Sequence, residues 1–158
     1  MSLEVHIEKK LNGFTLRSDF AAGNTATAIL GASGCGKSMT LRCIAGIVKP
    51  DKGRIVLDGR VLFDSEQHID LPPQQRGVGL LFQNYALFPN MTVAQNICVV
   101  PKLLKYDKAR CDEIVQEMLQ LVHMEQSANK YPSELSGGQQ QRIGVLRALA
   151  ASPPIVLM

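Results

Sequence analysis

The octapeptide "GASGCGKS", Gly31 to Ser38, constrains the fold more than any other stretch of this 158-residue sequence. It matches the pattern GxxxxGK[ST], in which backbone N–H groups wrap around a chain of phosphates. Glycine is required because the backbone must approach the phosphates closely and adopt conformations that other residues avoid. The pattern works only between a strand and a helix, so it predicts an α/β fold.

The octapeptide also predicts its ligands, a nucleoside triphosphate and Mg²⁺, and the family resemblance described below implies that the nucleotide is ATP. The apolar "TATAIL" before it predicts the strand, and "KSMTLRCIAG" after it predicts a helix that ends at Gly46 and points its positive N-terminus at the phosphates. Lys37 supplies a compact charge for the β- and γ-phosphates, and the Ser38 hydroxyl is a hard oxygen ligand for Mg²⁺. The remaining contacts are expected from the loop and its first helical turn, at Gly31, Ser33, Gly34, Cys35, Gly36 and Met39. The structural alternative is a glycine-rich turn that binds no ligand.

A second glycine motif, "LSGGQ", occupies residues 135–139. Its serine, its two glycines and a helix start can together form another anion cradle of backbone N–H groups, one hydroxyl and a helix dipole. The candidate binding residues are Ser136, Gly137, Gly138 and Gln139. A serine-capped helix after a loop is the structural alternative, but it does not explain the two glycines.

Hydrophobic periodicity outlines the rest of the chain. Strands are predicted for "LEVHIEKK", for "GFTLRSDF", for "RIVLDG" and "RVLFD" joined at Asp58-Gly59, for "VGLLFQ" and for the final "IVLM". Helices are predicted for "MTVAQNICVV", "DKARCDEIVQEMLQLVHM" and "GGQQQRIGVLRALAA". This order predicts one domain over residues 1–158, with core parts at 1–88 and 136–158 and a helical insertion at 89–135.

Composition excludes several classes of protein. The sequence is 46% hydrophobic and 20% charged, with a net charge of +3, which is ordinary for a globular protein and gives no reason to expect nucleic acid. The four cysteines have no CxxC spacing, which argues against a zinc site and suits a reducing compartment. We expect no signal peptide and no membrane-spanning segment.

Three motifs in this order resemble the ATP-binding-cassette ATPases: "GASGCGKS", Gln83 within "LLFQNYALFP", and "LSGGQQQR". The resemblance implies a P-loop NTPase (RecA-like) core with an antiparallel β subdomain and an inserted helical subdomain. It implies that Gln83 senses Mg²⁺ and the attacking water and couples them to a transport partner. It also implies that Ser136 to Gln139 act on the nucleotide of a second ATPase subunit, packed head to tail. Phe14 is the candidate for stacking on adenine, and a core phenylalanine is the equal alternative.

The resemblance extends to one functional branch. The segment between Gln83 and Leu135 lacks sustained heptads, which argues against DNA-repair relatives with long coiled coils. "LPPQQRGVGLLFQNYALFPNMTVAQNI" resembles importers, and "GRIVLDGRVLFDSEQHIDLPPQQR" most resembles the molybdate importer's ATPase, with sulfate-type relatives close behind. The implied partners are transmembrane permease subunits and a second copy of the chain, at the cytoplasmic face of the membrane. The alternatives are a nucleotide-binding module that does not hydrolyse, or an importer ATPase for sulfate, polyamine or iron.

The end of the sequence carries one more expectation from the resemblance. In the family an apolar strand after the signature helix ends in Asp and then Glu, the Mg²⁺ ligand and the general base. "IVLM" matches that strand up to Met158, the last residue. We therefore expect the domain to be incomplete at its C-terminus and the chain to be catalytically incompetent.

Overall fold

The structure, a computed structural model, describes residues 2–82 and 84–158. The chain divides into two compact units, residues 1–78 and residues 79–158. The octapeptide Gly31 to Ser38 belongs to the first unit, and the "LSGGQ" motif belongs to the second. The two glycine motifs therefore lie in different units.

The first unit contains a five-stranded sheet in the order β2-β1-β3-β4-β5, with every neighbouring pair antiparallel. Alternate residues of β1 are buried, as the sequence pattern predicted. Asp58 and Gly59, both at positive φ, form the tight turn between β3 and β4. The strands are β1 (Leu3–Leu11), β2 (Phe14–Ala22), β3 (Lys52–Leu57), β4 (Arg60–Asp64) and β5 (Ile69–Asp70).

A buried guanidinium anchors helix α1 (Lys37–Ile44), which follows the octapeptide. Arg76, the last residue of the short helix α2 (Pro73–Arg76), has a side chain that is 0% exposed. Its Nη1 donates to the carbonyl oxygens of Cys43 at 2.8 Å and Ile44 at 3.0 Å, at the C-terminal end of α1. Its Nε donates to Leu71 O at 2.7 Å and its Nη2 to Asp70 Oδ1 at 2.9 Å. Burial lowers the pKa of Arg76 and the Asp70 carboxylate opposes that shift, so the group stays charged.

The prediction of a strand for "TATAIL" is wrong. Residues 25–30 lie outside both sheets and their side chains are exposed, with Leu30 at 89%. An apolar run expresses a local preference, whereas a strand also needs a neighbour whose N–H and C=O groups complete its ladder. In the first unit β2 and β5 form the two edges of the sheet, and neither pairs with this segment.

The second unit packs helices around an apolar core, beside a two-stranded sheet of β6 (Val78–Leu80) and β7 (Ile155–Leu157). The helices are α3 (Val93–Ile97), α4 (Val99–Leu103), α5 (Lys108–Leu121) and α6 (Gly137–Leu149), with 3₁₀ turns at Glu125–Ser127 and Pro132–Glu134. The predicted apolar face of α5 is confirmed, because its spaced residues enter this core: Cys111, Ile114, Val115 and Leu119. Within residues 2–82 and 84–158, no helix combines the length and apolar character needed to cross a membrane.

The stretch "MTVAQNICVV" forms two short helices rather than the single helix predicted. Cys98 ends α3 and begins α4. Pro101, inside α4, has no N–H to donate to the carbonyl of Ile97, and its ring would clash with that carbonyl in a continuous helix. The break therefore follows from the proline.

We predict that Arg76→Ala destabilises the chain by about 3 kcal/mol. The substitution takes the donor from the buried Ile44 carbonyl, leaves the Cys43 carbonyl with the N–H of Gly46, and empties the space of a fully buried side chain. The matched control is Arg17→Ala, which removes an exposed guanidinium 3.0 Å from Glu8 and should cost less than about 1 kcal/mol. Urea unfolding of both variants measures the difference. Equal losses would mean that the Arg76 network does not hold α1.

Candidate functional site

Two glycines of the octapeptide adopt conformations that other residues avoid. Gly34 has a φ of 82° and Gly36 a φ of 102°. Close contacts add a second requirement: a Cβ on Gly31 would lie 2.7 Å from Cys35 Sγ, and one on Gly36 would lie 2.5 Å from Leu16 Cδ1. The loop geometry therefore requires glycine at Gly34 and Gly36, whereas a side chain at Gly31 would displace the exposed Cys35 thiol.

Lys37 begins α1 and folds back across the loop. Its Nζ donates to Gly31 O at 2.6 Å and to Ala32 O at 2.9 Å, and it lies 3.7 Å from Cys35 Sγ. The loop thus holds an ammonium group at the N-terminal end of a helix. Both the charge and the helix dipole favour an anion there.

The other predicted residues of the loop lie at the surface. Ser33, Cys35 and Ser38 are exposed, and Met39 is half-buried. The Ser38 hydroxyl fits Mg²⁺ as one oxygen ligand. Among the residues that the structure describes, no cluster of three or more His, Cys, Asp or Glu side chains could hold a metal by itself. Magnesium in such a site would depend on phosphate and water oxygens for its other ligands.

Strand β2 supports the loop through contacts that sequence reasoning missed. The buried Thr40 shares a hydrogen bond of 2.7 Å with Ser18 of β2, and its hydroxyl donates to Gly36 O at 3.2 Å. A threonine four residues after a glycine at a helix start is a signal for this back-bond to the carbonyl. The partner in β2 could not be read from the local pattern.

Phe14, the candidate for adenine stacking, is the first residue of β2 and its side chain is 44% exposed. It shares a face of the strand with Leu16, whose side chain approaches Gly36. The structure therefore places an exposed ring on the strand face that supports the loop. A fully buried core position, the alternative reading, does not fit this exposure.

The second motif opens helix α6. Ser136 is the N-cap: its Oγ accepts from Gln139 N at 3.3 Å, while Gln139 Oε1 accepts from Ser136 N at 2.9 Å. Gly137 and Gly138 have negative φ, and a Cβ on either would meet nothing within 4 Å. Within the part of the chain that the structure describes, neither backbone strain nor packing requires these glycines. Both residues are exposed, so their N–H groups are accessible, whereas the N–H of Gln139 is bound by the Ser136 hydroxyl.

The loop before α6 is fixed by Gln140, another residue that the sequence did not single out. Its Nε2 donates to Pro132 O at 2.9 Å and to Leu135 O at 3.2 Å. These bonds set the approach of the chain to Ser136, because they hold both the 3₁₀ turn and the residue preceding the cap. Gln83 lies outside the described residues. The segment that follows it contacts α6 through Arg147.

Burial divides the four cysteines into two kinds. Cys43, Cys98 and Cys111 are buried and Cys35 is exposed. Desolvation raises the pKa of Cys43 to about 11 and that of Cys98 to about 12. Cys43 and Cys111 are therefore core residues, and the loop holds the accessible thiol among the four.

Comparison with known proteins finds the same family along the chain. The family model described as "ABC transporter" matches residues 16–158. A glycine betaine/carnitine/choline transport ATP-binding protein of Bacillus subtilis is 45% identical, covering 96% of this chain and 38% of the relative. A molybdenum import ATP-binding protein of Paramagnetospirillum magneticum is 40% identical, covering 99% and 42%. An osmoprotectant import ATP-binding protein of Salmonella typhimurium is 45% identical, covering 82% and 34%.

A solved structure has the same fold. It is an ATP-binding cassette, a dimer in a post-hydrolysis state bound to ADP and Pi, with a TM-score of 0.76 and 28% identity. The match covers 99% of this chain and 72% of the solved one. The α/β fold predicted from the octapeptide and the P-loop NTPase fold implied by the resemblance are therefore confirmed. The chain spans 34% to 42% of the length of the three curated relatives.

We predict that iodoacetamide at pH 8 modifies the native chain once, at Cys35. The thiolate is the nucleophile, and a pKa of about 11 leaves roughly one thousandth of Cys43 ionised at that pH. Mass spectrometry counts the added groups, and we expect one on the native chain and four on the chain unfolded in urea. Rapid native labelling of Cys43, Cys98 or Cys111 would contradict the burial described.

Proposed function

Because the chain belongs to the ABC transporter family, we propose that it is the ATP-binding part of an importer subunit, which couples ATP binding and hydrolysis to solute uptake. The observation that carries the proposal is the loop of Gly31 to Ser38, with the Lys37 ammonium across it at the start of α1. Three relatives with transport or import functions in their names support the importer branch.

In this proposal the loop binds the triphosphate of ATP. The Lys37 ammonium exchanges its carbonyl partners for phosphate oxygens, and the N–H groups of the loop and first turn donate to the same anion. Ser38 holds Mg²⁺, which supplies charge neutralisation on the phosphates. Phe14 stacks on adenine, which is worth about 1–3 kcal/mol if it behaves like other base stacking. Gln83 keeps its proposed role toward Mg²⁺ and the attacking water.

We further propose that two copies of the chain pair head to tail. The uncovered first turn of α6, at Ser136 to Gly138, would then donate to the nucleotide held by the partner's loop. Support comes from Gly137 and Gly138, because a Cβ at either position would meet no described atom of the chain within 4 Å. Gln139 contributes indirectly, because its side chain caps the helix that carries them.

The proposed partner at the membrane is a permease, contacted from the cytoplasmic face through the helical region 89–135 and the residues just before it. Support comes from large apolar side chains that are exposed in this part of the chain: Phe88, Met91, Leu103, Leu104, Tyr106, Leu121 and Tyr131. Such a surface favours a protein partner. Molybdate is the solute we propose to test first, from the resemblance of residues 53–76. A sulfate relative is 39% identical, the molybdenum relative 40%, and two polyamine relatives 46% and 49%, so sulfate and polyamines are tested beside it.

We predict that Lys37→Ala weakens ATP binding by roughly 10- to 100-fold, because it removes a charge-assisted contact worth about 1.5–3 kcal/mol. Titration of a fluorescent ATP analogue measures the affinity. Lys108→Ala, which removes an exposed lysine of α5, is the matched control and should bind as the unmodified chain does. If the Lys37 variant binds the analogue as tightly as the unmodified chain does, the assignment of Lys37 to the phosphates is wrong. Phosphate release in the same samples separates hydrolysis from binding alone.

We also predict that a thiol at Met91 crosslinks to a co-expressed permease. The substitution is Met91→Cys in a Cys35→Ser background, since the native Cys98 is buried and unsuited to crosslinking. Lys52→Cys, on an exposed strand end of the first unit, is the control and should not crosslink. Failure of the Met91 thiol to crosslink within an assembled complex would count against this docking region.

A further inference from the structure

The guanidinium of Arg147 reaches from helix α6 to the segment that follows Gln83. In the last turn of α6, Arg147 donates from Nη1 to Ala86 O at 2.7 Å and from Nη2 to Tyr85 O at 2.8 Å. The two partners lie 61 and 62 positions earlier in the chain. Burial lowers the pKa of Arg147, but guanidinium remains charged at neutral pH. Both bonds are therefore charge-assisted, and the two nitrogens act as one fork.

The two residues that accept these bonds have a backbone conformation that is unfavourable for them. Tyr85 has a φ of 57° and Ala86 a φ of 45°. In this left-handed region the Cβ of a residue other than glycine crowds its own carbonyl oxygen. Such residues keep the conformation only where their surroundings hold it. Here the fork of Arg147 binds the carbonyls of both strained residues.

Helix α6 also touches this segment one turn earlier. A Cβ on Gly144 would lie 3.2 Å from Tyr85 Cβ and 3.1 Å from Leu81 Cδ1. Gly144 and Arg147 are three residues apart and therefore lie on one face of the helix. Glycine at 144 lets the segment lie directly on α6, within reach of the guanidinium.

The far end of the segment is fixed from two sides. The Phe88 ring lies 5.5 Å from Arg147 Cζ, in cation–π geometry. The buried Asn96 of α3 accepts from Phe88 N at 2.8 Å and donates to Phe88 O at 3.1 Å. The mobility of residues 84–88 is thus limited at Tyr85 and Ala86 by Arg147, and at Phe88 by Arg147 and Asn96 together.

We propose that Arg147 is a positioning residue, which holds residues 84–88 on α6 so that the chain directly after Gln83 moves with Ser136 and Gly137 at the other end of that helix. Its functional meaning rests on the proposed function, in which Gln83 and the start of α6 serve nucleotide sites. A displacement of α6 at one site would then be transmitted to the segment beside Gln83. The competing role is simple packing, in which Arg147 fills space and its hydrogen bonds are incidental.

The experiment uses Arg147→Lys, which keeps the charge and loses the fork, and measures amide hydrogen exchange by mass spectrometry. Exchange in residues 84–92 should rise about tenfold, the effect of losing one charge-assisted hydrogen bond. Exchange in α5, over residues 108–121, should stay unchanged. If exchange at 84–92 does not rise, Arg147 has no role in holding this segment and the proposal is overturned. If exchange in α5 rises equally, the substitution has loosened the packing in general, which also overturns the proposal.

A glycine rescue separates positioning from packing. Adding Ala86→Gly to Arg147→Lys should lower exchange at 84–92 again, because glycine adopts a φ of 45° without the steric cost. Ala109→Gly, at an exposed position of α5, is the matched control and should give no rescue. Rescue by both glycines or by neither would overturn the proposal.

Two further measurements keep the outcomes separate. The Arg147→Lys variant should bind the fluorescent ATP analogue as the unmodified chain does, because the phosphate loop belongs to the other unit. If the unmodified chain fails to bind nucleotide, the proposed function fails while the exchange comparison still decides the role of Arg147. Should Arg147→Lys not fold, Gly144→Ala pushes a methyl group against Tyr85 and should raise exchange at 84–92 alone; an unchanged rate there would overturn the proposal.

Discussion

The buried guanidinium of Arg76 is the interaction on which the phosphate loop most depends. A helix leaves its last carbonyls without partners, and α1 ends inside the first unit where water cannot supply them. Arg76 supplies donors to Cys43 and Ile44, and Asp70 balances its charge. A Cβ on Gly46 would lie 2.5 Å from Arg76 Nε, so the glycine that ends the helix also makes room for the arginine. With its C-terminal end fixed in this way, α1 can present Lys37 and the N–H groups of its first turn in one orientation.

In the second unit, too, an arginine donates to backbone carbonyls of another element. Arg147 binds two carbonyls of a strained turn, as Arg76 binds two carbonyls of a helix end. Arginine suits both places because its planar fork donates to two acceptors at once and keeps its charge when desolvated. In each unit, a guanidinium from one element fixes the backbone of another that lies next to a candidate site.

The two glycine motifs differ in what their glycines do. In the phosphate loop, positive φ at Gly34 and Gly36 and the close contact at Gly36 explain these two glycines from within the chain. At the start of α6 the helix would form with alanine in both positions, and alanine has the higher helix propensity. Among the described residues, no contact offsets the stability that glycine costs there. This cost agrees with the proposal that another molecule approaches the helix end.

Sequence alone determined the parts of this protein that depend on neighbours along the chain. Alternation predicted the antiparallel strands, helical spacing predicted the buried face of α5, and fixed short spacings predicted the phosphate loop and the cap at Ser136. Tertiary structure alone decided which distant groups form the remaining hydrogen bonds. Arg76 binds the carbonyls at the end of α1, Ser18 binds Thr40, and Arg147 binds the carbonyls of the segment after Gln83. It also decided that "TATAIL" pairs with neither sheet, against its local preference. The reason is that a hydrogen bond between residues far apart in sequence leaves no periodicity in either segment, so it can be known only once the chain has brought donor and acceptor together.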